Sequence, residues 1–227
     1  MKIEEVEKLD SMERFLYWIK ERHQIYKKRK AGKLKPWTDD KVLQENFFTN
    51  PYRENDKVTV WFRENIREPL REDPRVLMAT IIFRWFNYIP TGELLVHGPY
   101  QSSDYDNYGW LEDWKEKDVI KRLDQEREAG KKVFTGAFMI NSPPGRPKLE
   151  AVCDRIEGNW KDRIGLLQRI EDCMTLQEAH KHVMKYPGLG GFMAYEVVCD
   201  LRYTYLLKNA TDKMTWCNPG PGAVRGI

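Results

Sequence analysis

Apolar residues recur at helical spacing along most of the chain. In the segment 15–26 they return every three or four residues, and the segment 76–89 is apolar on nearly every side. The first pattern is typical of a helix that buries one face, and the second of a helix inside a core. Further helical segments are predicted at 118–129, 148–173 and 176–206. The pattern therefore predicts a mostly α-helical fold.

Capping residues predict where three of the helices begin. Ser11 and Thr38 are each predicted to be the N-cap of the helix that follows. Thr175 is predicted to cap the helix after it and to form a capping box with Glu178.

Two segments between the helices are less regular. The segment 91–116 is predicted to be a loop, whose tyrosines and tryptophans either pack against the domain or stack on bases. The stretch 131–140 fits either a short strand or an apolar loop. No internal repeat or linker-like segment divides the 227 residues. They are therefore predicted to form a single helical domain, residues 1–227.

Composition narrows the classes of function. Eight tryptophans argue against disorder, and the net charge of +3 means that any basic surface must be local. There is no apolar run of about 18 residues, so no membrane partner is expected. The acidic N-terminus lacks the apolar region of a signal peptide, which favours a cytoplasmic location. The four cysteines have no paired spacing and are typical of reduced thiols rather than of a zinc site or disulfides.

A glycine-rich turn joins the two helical segments of residues 176–206. Pro187 is expected to end the first helix, and Gly188 allows backbone angles that a side chain disfavours. After Leu189, Gly190 and Gly191 are expected to open a second helix whose first N–H groups suit a phosphate. The stretch is interpreted as a helix-hairpin-helix that holds a nucleic-acid backbone, or as an ordinary glycine-rich connection between helices.

Basic and polar side chains supply further candidate sites. The segment 27–33, KKRKAGK, is either a solvated helix end or a phosphate-facing patch. Asn50, Tyr52 and Arg53 belong to a dense polar group around a predicted turn at Pro51. Three further candidates for binding an anion or a base are Arg84, Asn87 and Arg225. Arg84 interrupts an apolar helix, so it forms either an internal salt bridge or an anion site.

The hairpin and a following aspartate resemble the helix-hairpin-helix DNA glycosylases, in which a catalytic aspartate follows the second hairpin helix. This resemblance implies a helix-hairpin-helix DNA-glycosylase-like helical domain. Asp212 is the first candidate for that aspartate, and Asp200 is the second. The lyase branch has a lysine in the hairpin helix where Phe192 stands here, so Schiff-base chemistry is not expected at that position.

A narrower resemblance links six segments to the α-glutamyl/putrescinyl thymine pyrophosphorylase family of phage thymine-hypermodification systems. These segments occur in order along the chain: Phe15–Gly32, Lys35–Asp40, Phe47–Asp56, Phe83–Asn87, Gly188–Leu201 and Gly220–Gly226. The same helical unit also resembles the one attached to 5-hydroxymethyluracil DNA kinases. The chain contains no phosphate loop of the form GxxxxGK[ST], so it is not expected to be such a kinase itself.

The narrower resemblance implies a transferase that acts on DNA carrying pyrophosphorylated 5-hydroxymethyluracil. An amine, from an amino acid or a polyamine, would displace pyrophosphate from the exocyclic methylene of an exposed base. The implied roles are a carboxylate base (Asp212, Asp200 or Glu196), an anion site (Arg53, Arg84 and Arg225), a pair that reads the pyrimidine edge (Asn50 and Asn87) and a DNA-backbone clamp (Gly188, Leu189, Gly190 and Gly191). Tyr52 is a further candidate for binding the substrate. Mg²⁺ on the pyrophosphate is compatible with this chemistry, but no ligand cluster specifies a metal.

The resemblance also implies a phage-encoded protein in the cytoplasm of a bacterial host. Two other functions stay open at this point. One is a glycosylase acting on a modified pyrimidine, which would break the bond between sugar and base. The other is a non-catalytic helical module that binds DNA and serves a separate modifying enzyme.

Overall fold

A computed structural model describes residues 6, 9–46, 48–96, 108, 111, 114–136, 140 and 142–226. These residues form helices, turns and irregular segments, and none of them lies in a β-strand. The predicted mostly α-helical fold is therefore confirmed. The chain divides into two compact units, residues 1–60 and residues 61–227. The single domain over residues 1–227 stays a prediction.

The first unit begins with a long helix, α1, Ser11–Lys30. Asp10, rather than the predicted Ser11, is its N-cap, because Asp10 and Glu13 exchange hydrogen bonds in a capping box. The buried side chains of α1 are Arg22 and Ile25. The apolar residues Phe15 and Leu16, which were expected to face inward, are exposed.

Two shorter elements complete the first unit. Helix α2, Lys41–Glu45, is capped by Asp40, whose Oδ1 accepts a hydrogen bond from the Leu43 N–H. Thr38, the predicted cap, instead accepts from the Asp40 N–H. A 3₁₀ turn, Arg53–Asn55, follows. Helix α3, Lys57–Phe62, begins in the first unit and ends in the second.

The second unit contains a π-helical turn and eight helices among its described residues. The turn is Arg63–Arg67, and the helices are α4 Val76–Phe86, α5 Ile89–Val96, α6 Glu116–Glu128, α7 Lys148–Lys161, α8 Arg163–Glu171, α9 Leu176–Val183, α10 Gly191–Leu201 and α11 Pro221–Gly226. Every residue of α4 is buried. It packs against α5, α7, α10 and the π-helical turn, so its predicted central position is confirmed.

Several local predictions can be compared with this arrangement. Residues 91–96, predicted to be a loop, continue α5, whereas residues 97–107, 109–110 and 112–113 of the aromatic segment lie outside the described residues. Within that segment Trp114 is buried and Tyr108 donates to the Asn65 carbonyl, which fits packing for these two rings. The described part of 131–140 is irregular, so the strand alternative is wrong there.

The predicted helix over 148–173 is interrupted once. Helix α7 ends at Lys161 and α8 begins at Arg163, with Asp162 between them. Asp162 Oδ2 accepts hydrogen bonds from Arg169 and from the hydroxyl of Tyr186. The interruption therefore provides a carboxylate that ties α8 to the turn after α9.

No helix in the described part of the chain is both long and apolar enough to cross a membrane.

Candidate functional site

The predicted hairpin consists of α9, a turn over residues 184–190, and α10. Thr175 caps α9 and forms the predicted capping box with Glu178. Gly190 is the N-cap of α10 and Gly191 is its first residue, as the sequence indicates. Leu189 between them is buried, and its N–H donates to the Tyr186 carbonyl at 3.0 Å. Leu189 therefore anchors the turn in the core, while Gly188 and Gly190 lie at the surface.

Gly188 is required for two independent reasons. Its φ of +82° lies in the left-handed region, which side chains other than glycine rarely adopt. A Cβ at this position would also lie 2.5 Å from Trp85 Cη2 and 2.9 Å from Arg155 Cδ. Trp85 belongs to α4 and Arg155 to α7, so the turn rests directly on the core of the second unit. This packing gives the hairpin a fixed position on the rest of the unit.

The start of α10 is held from a second side. The Gly191 carbonyl lies 2.9 Å from His180 Nε2 and accepts a hydrogen bond from Asn218 Nδ2 at 3.1 Å. Because a carbonyl only accepts, His180 Nε2 is the donor in this hydrogen bond. The buried His180 ring also contacts the rings of Tyr195 and Trp216. Both hairpin helices and the chain after α10 thus fix the glycine turn.

Asp212, the first candidate for a catalytic aspartate, lies at the N-terminus of α9. Its Oδ1 accepts from the Leu176 N–H at 2.7 Å, and its Oδ2 accepts from the Gln177 N–H at 3.1 Å. These two N–H groups are among those that a helix leaves without an internal partner. In this arrangement both Asp212 oxygens stabilise the first helix of the hairpin.

Asp200, the second candidate, forms a buried network with Arg84 and Asn87. Arg84 Nε donates to Asp200 Oδ2 at 2.6 Å, and Arg84 Nη2 donates to Asp200 Oδ1 at 3.1 Å. Arg84 Nη1 donates to Asn87 Oδ1 at 2.7 Å. Asp200 is 0% exposed and Arg84 is 1% exposed. Of the two interpretations of Arg84, the structure therefore shows the internal salt bridge.

A second buried arginine, Arg67, joins this network and was not singled out in the sequence. Its Nη1 lies 4.0 Å from Asp200 Oδ1, and its Nε lies 3.5 Å from Glu68 Oε1. The Arg67 guanidinium also stacks over the Tyr203 ring at 4.4 Å. Arg67 belongs to a π-helical turn, whose irregular hydrogen bonding the apolar pattern does not reveal. Two cations therefore stabilise the Asp200 carboxylate.

The remaining predicted residues are distributed over both units. In the first unit, Asn50 Oδ1 accepts from the Tyr52 N–H at 3.2 Å, and the exposed Tyr52 ring meets His23 edge-on at 4.8 Å. Arg53 is half-buried in the 3₁₀ turn of the same unit. In the second unit, Glu196 is half-buried on α10 and Arg225 is exposed on α11. The structure brings Arg84, Asn87 and Asp200 together, and the roles assigned to all the predicted residues stay predictions.

A pocket of about 690 Å³ lies within the first unit, between α1, α2 and the segment that joins them. Its lining includes three cationic side chains, Arg22, Arg29 and Lys35, and the aromatic residues Trp37 and Phe48. The sequence indicated a basic segment at 27–33 but did not indicate that cations from either side of it line one cavity. The sequence did contain one signal of this pocket. Arg22 is a charged residue on the same face of the predicted helix as the apolar Trp18 and Ile25.

The family model described as "5-hmdU DNA kinase, helical domain" matches residues 10–227. The chain belongs to this family. A 5-hmdU DNA kinase of Bacillus phage SP10 is 28% identical over 238 residues, which cover 94% of this chain and 35% of the relative. The chain thus spans about a third of the length of that relative. No solved structure matches the chain.

Family membership bears on the two resemblances found in the sequence. The likeness to the helical unit of 5-hydroxymethyluracil DNA kinases is confirmed. The narrower likeness to the pyrophosphorylase family and the glycosylase-like form of the fold stay predictions. Among the residues that the structure describes, no group of three or more His, Cys, Asp or Glu side chains is placed to hold a metal ion.

Proposed function

We propose that this protein acts on DNA that carries a 5-hydroxymethyluracil derivative, and that it is a transferase in which an amine displaces pyrophosphate from the base. The main support for DNA as the substrate is that the chain belongs to the 5-hmdU DNA kinase helical-domain family over residues 10–227. The name of the phage SP10 relative supports the same substrate class. These 227 residues contain no GxxxxGK[ST] phosphate loop, and the reaction that we propose for them is therefore not the kinase step itself.

The hairpin is our candidate for holding the DNA backbone. Gly188 and Gly190 are exposed, so a phosphate can approach the turn without meeting a side chain. The start of α10 adds the positive end of a helix dipole. Since Trp85, Arg155 and His180 fix the turn, little conformational entropy would be lost when DNA binds. The base would then leave the duplex to reach a site on the protein.

In the proposed reaction a C–N bond forms at the exocyclic methylene of the base, and the C–O bond to pyrophosphate breaks. The amine gives up a proton to a carboxylate, and the pyrophosphate leaves with the electron pair of the broken bond. Asp200 is buried between arginines and Asp212 caps α9. The carboxylate that we propose as the general base is Glu196, which is half-buried one turn before Asp200 on α10. Arg53, Asn50, Tyr52 and Arg225 stay candidates for binding the substrate.

A non-catalytic DNA-binding module is the second candidate function. It is favoured by the structural roles of the two aspartates, because Asp200 is buried against Arg84 and both oxygens of Asp212 accept from N–H groups of α9. Such a module would present the modified base to a separate enzyme. The glycosylase alternative needs the same aspartates and is weakened for the same reason.

One experiment distinguishes these functions. The purified protein is incubated with an oligonucleotide containing pyrophosphorylated 5-hydroxymethyluracil and a panel of amino acids and polyamines, with and without Mg²⁺. Nucleosides are then analysed by mass spectrometry. The transferase predicts an amine-substituted nucleoside and an equal amount of pyrophosphate, whereas a glycosylase predicts abasic sites. Salt-dependent binding of the DNA without either product would support the module.

The variant Glu196→Gln tests the choice of base. It keeps the size of the side chain and removes its basicity, so transfer should fall at least about tenfold while DNA binding is retained. Glu150→Gln, at an exposed carboxylate on α7, is the matched control. Wild-type transfer by Glu196→Gln would remove Glu196 from the reaction.

A further inference from the structure

The pocket of the first unit has an excess of positive charge. Three cationic side chains line it, Arg22, Arg29 and Lys35, and Glu45 is the acidic residue of the lining. Within the described residues, none of the three cations forms an ion pair with a carboxylate. Cations that face a cavity without compensating carboxylates create a positive potential there. The charge of the lining therefore favours an anionic ligand.

Arg22 is the most deeply placed of these cations. It is 9% exposed, and its Nη2 donates to the carbonyls of Phe48 and Thr49. Its Nε is buried and has no hydrogen-bond partner. Burial, followed by the nearby Arg29, lowers the pKa of Arg22 below its ordinary value. A buried guanidinium without a carboxylate partner is costly, and the negative charge of an anion in the pocket would offset that cost.

Trp37 positions the other two cations. Its indole Nε1–H donates to the Lys33 carbonyl at 2.6 Å, and its own carbonyl accepts from Lys28 Nζ at 2.6 Å. The Arg29 guanidinium lies 5.4 Å from the centre of the Trp37 ring, and Lys35 Nζ lies 5.2 Å from it. Cation–π contacts at such distances hold flexible side chains in place. The contacts with Trp37 therefore hold the exposed side chains of Arg29 and Lys35 at the pocket.

The rest of the lining suits a ring rather than a bare phosphate. Ile25, Leu43 and Phe48 provide an apolar wall, and the volume of about 690 Å³ lies within the range of small-molecule and cofactor sites. A pyrophosphate alone would fill only part of that volume. We infer that this pocket binds a phosphorylated pyrimidine, with its phosphates on Arg22, Arg29 and Lys35 and its ring against the apolar wall.

This ligand chemistry has two possible sources. One is a pyrophosphorylated base in DNA, an identification that rests on the proposed function. The other is a free nucleoside diphosphate, which the charge, apolar wall and volume of the pocket suit without the proposed function. The choice of a pyrimidine rests on that function. The three cations of the pocket belong to the first unit. Arg84 belongs to the second unit and forms an ion pair with Asp200.

The test compares two double variants that remove the same charge from the full chain. Arg29→Gln with Lys35→Gln removes two pocket cations, whereas Lys20→Gln with Lys57→Gln removes two exposed lysines that do not line the pocket. All four side chains are exposed, so both variants should fold. Binding is measured by calorimetry with inorganic pyrophosphate, with deoxyuridine diphosphate, and with oligonucleotides containing 5-hydroxymethyluracil or its pyrophosphorylated form.

We expect the pocket variant to bind deoxyuridine diphosphate or the pyrophosphorylated oligonucleotide at least tenfold more weakly than the control variant does. Equal binding by the two variants, or no binding of either ligand by the wild type, would overturn the inference. A preference for the pyrophosphorylated over the hydroxymethyl oligonucleotide identifies the base in DNA as the source. Pocket-dependent binding of deoxyuridine diphosphate without amine transfer would reject the proposed transferase and leave the pocket assignment standing.

Discussion

Arg84 in the second unit and Arg22 in the first are both buried arginines, but their partners differ. Arg84 makes a two-pronged ion pair with the buried Asp200. Arg22 is held by two backbone carbonyls and by the rings of Trp18 and Phe48, and it faces a pocket. A buried cation that is neutralised by a carboxylate stabilises the fold. A buried cation without a carboxylate is available to an anionic ligand.

Asp200→Asn should give the largest effect, because it leaves Arg84 and Arg67 buried without their shared carboxylate. We expect a loss of about 3–5 kcal/mol in the free energy of unfolding, measured by urea denaturation. The double variant Arg84→Met with Asp200→Leu should recover part of this loss, since it removes both charges. An Asp200→Asn protein with wild-type stability and no transfer would instead assign Asp200 to the reaction.

Gly188→Ala tests whether the hairpin depends on its packing as well as on its backbone angles. We expect a loss of about 2–3 kcal/mol, from the left-handed φ and from overlap with Trp85. Gly130→Ala is the matched control, because Gly130 has a φ of +76° but no atom within 4 Å of the added Cβ. Gly130→Ala should lose only about 1 kcal/mol. Equal losses for the two variants would show that the overlap is relieved without cost.

Arg22→Met should have a smaller effect on stability than Asp200→Asn. It leaves no buried carboxylate behind, and water can reach the Thr49 carbonyl, so we expect a loss of about 1 kcal/mol. The same variant should abolish binding of deoxyuridine diphosphate by the pocket. A loss as large as that of Asp200→Asn would contradict the distinction between the two arginines.

Asp162→Asn should give the smallest effect, a loss of stability at neutral pH that disappears in acid. Hydrogen bonds from Tyr186 and then Arg169 lower the pKa of Asp162 below its usual value of 3.8. A lowered folded-state pKa contributes stability that is present above about pH 3.8 and is lost as the pH falls through the folded-state value. Wild-type stability should therefore fall more steeply below pH 4 than that of Asp162→Asn. Parallel pH profiles in urea titrations would argue against this contribution.

Features set by neighbouring residues could be read from the sequence. The Thr175–Glu178 capping box, the start of α10 at Gly190 and Gly191, and the buried α4 all depend on spacing within a few turns of helix. The N-cap of α1 also follows from local sequence, since Asp10 and Glu13 have the spacing of a capping box. The prediction of Ser11 as the cap missed that spacing. Helix formation and capping are local, so short-range patterns suffice for them.

Partners that lie far apart in the chain were decided only by the tertiary structure. Arg84 meets Asp200 across 116 residues, and Asp212 reaches the Leu176 N–H across 36. The sequence named these side chains as candidates but could not tell a structural carboxylate from a catalytic one. That distinction depends on burial and on the geometry of long-range contacts. The same holds for Arg22, which hydropathy counts as polar although it packs on the inward face of α1.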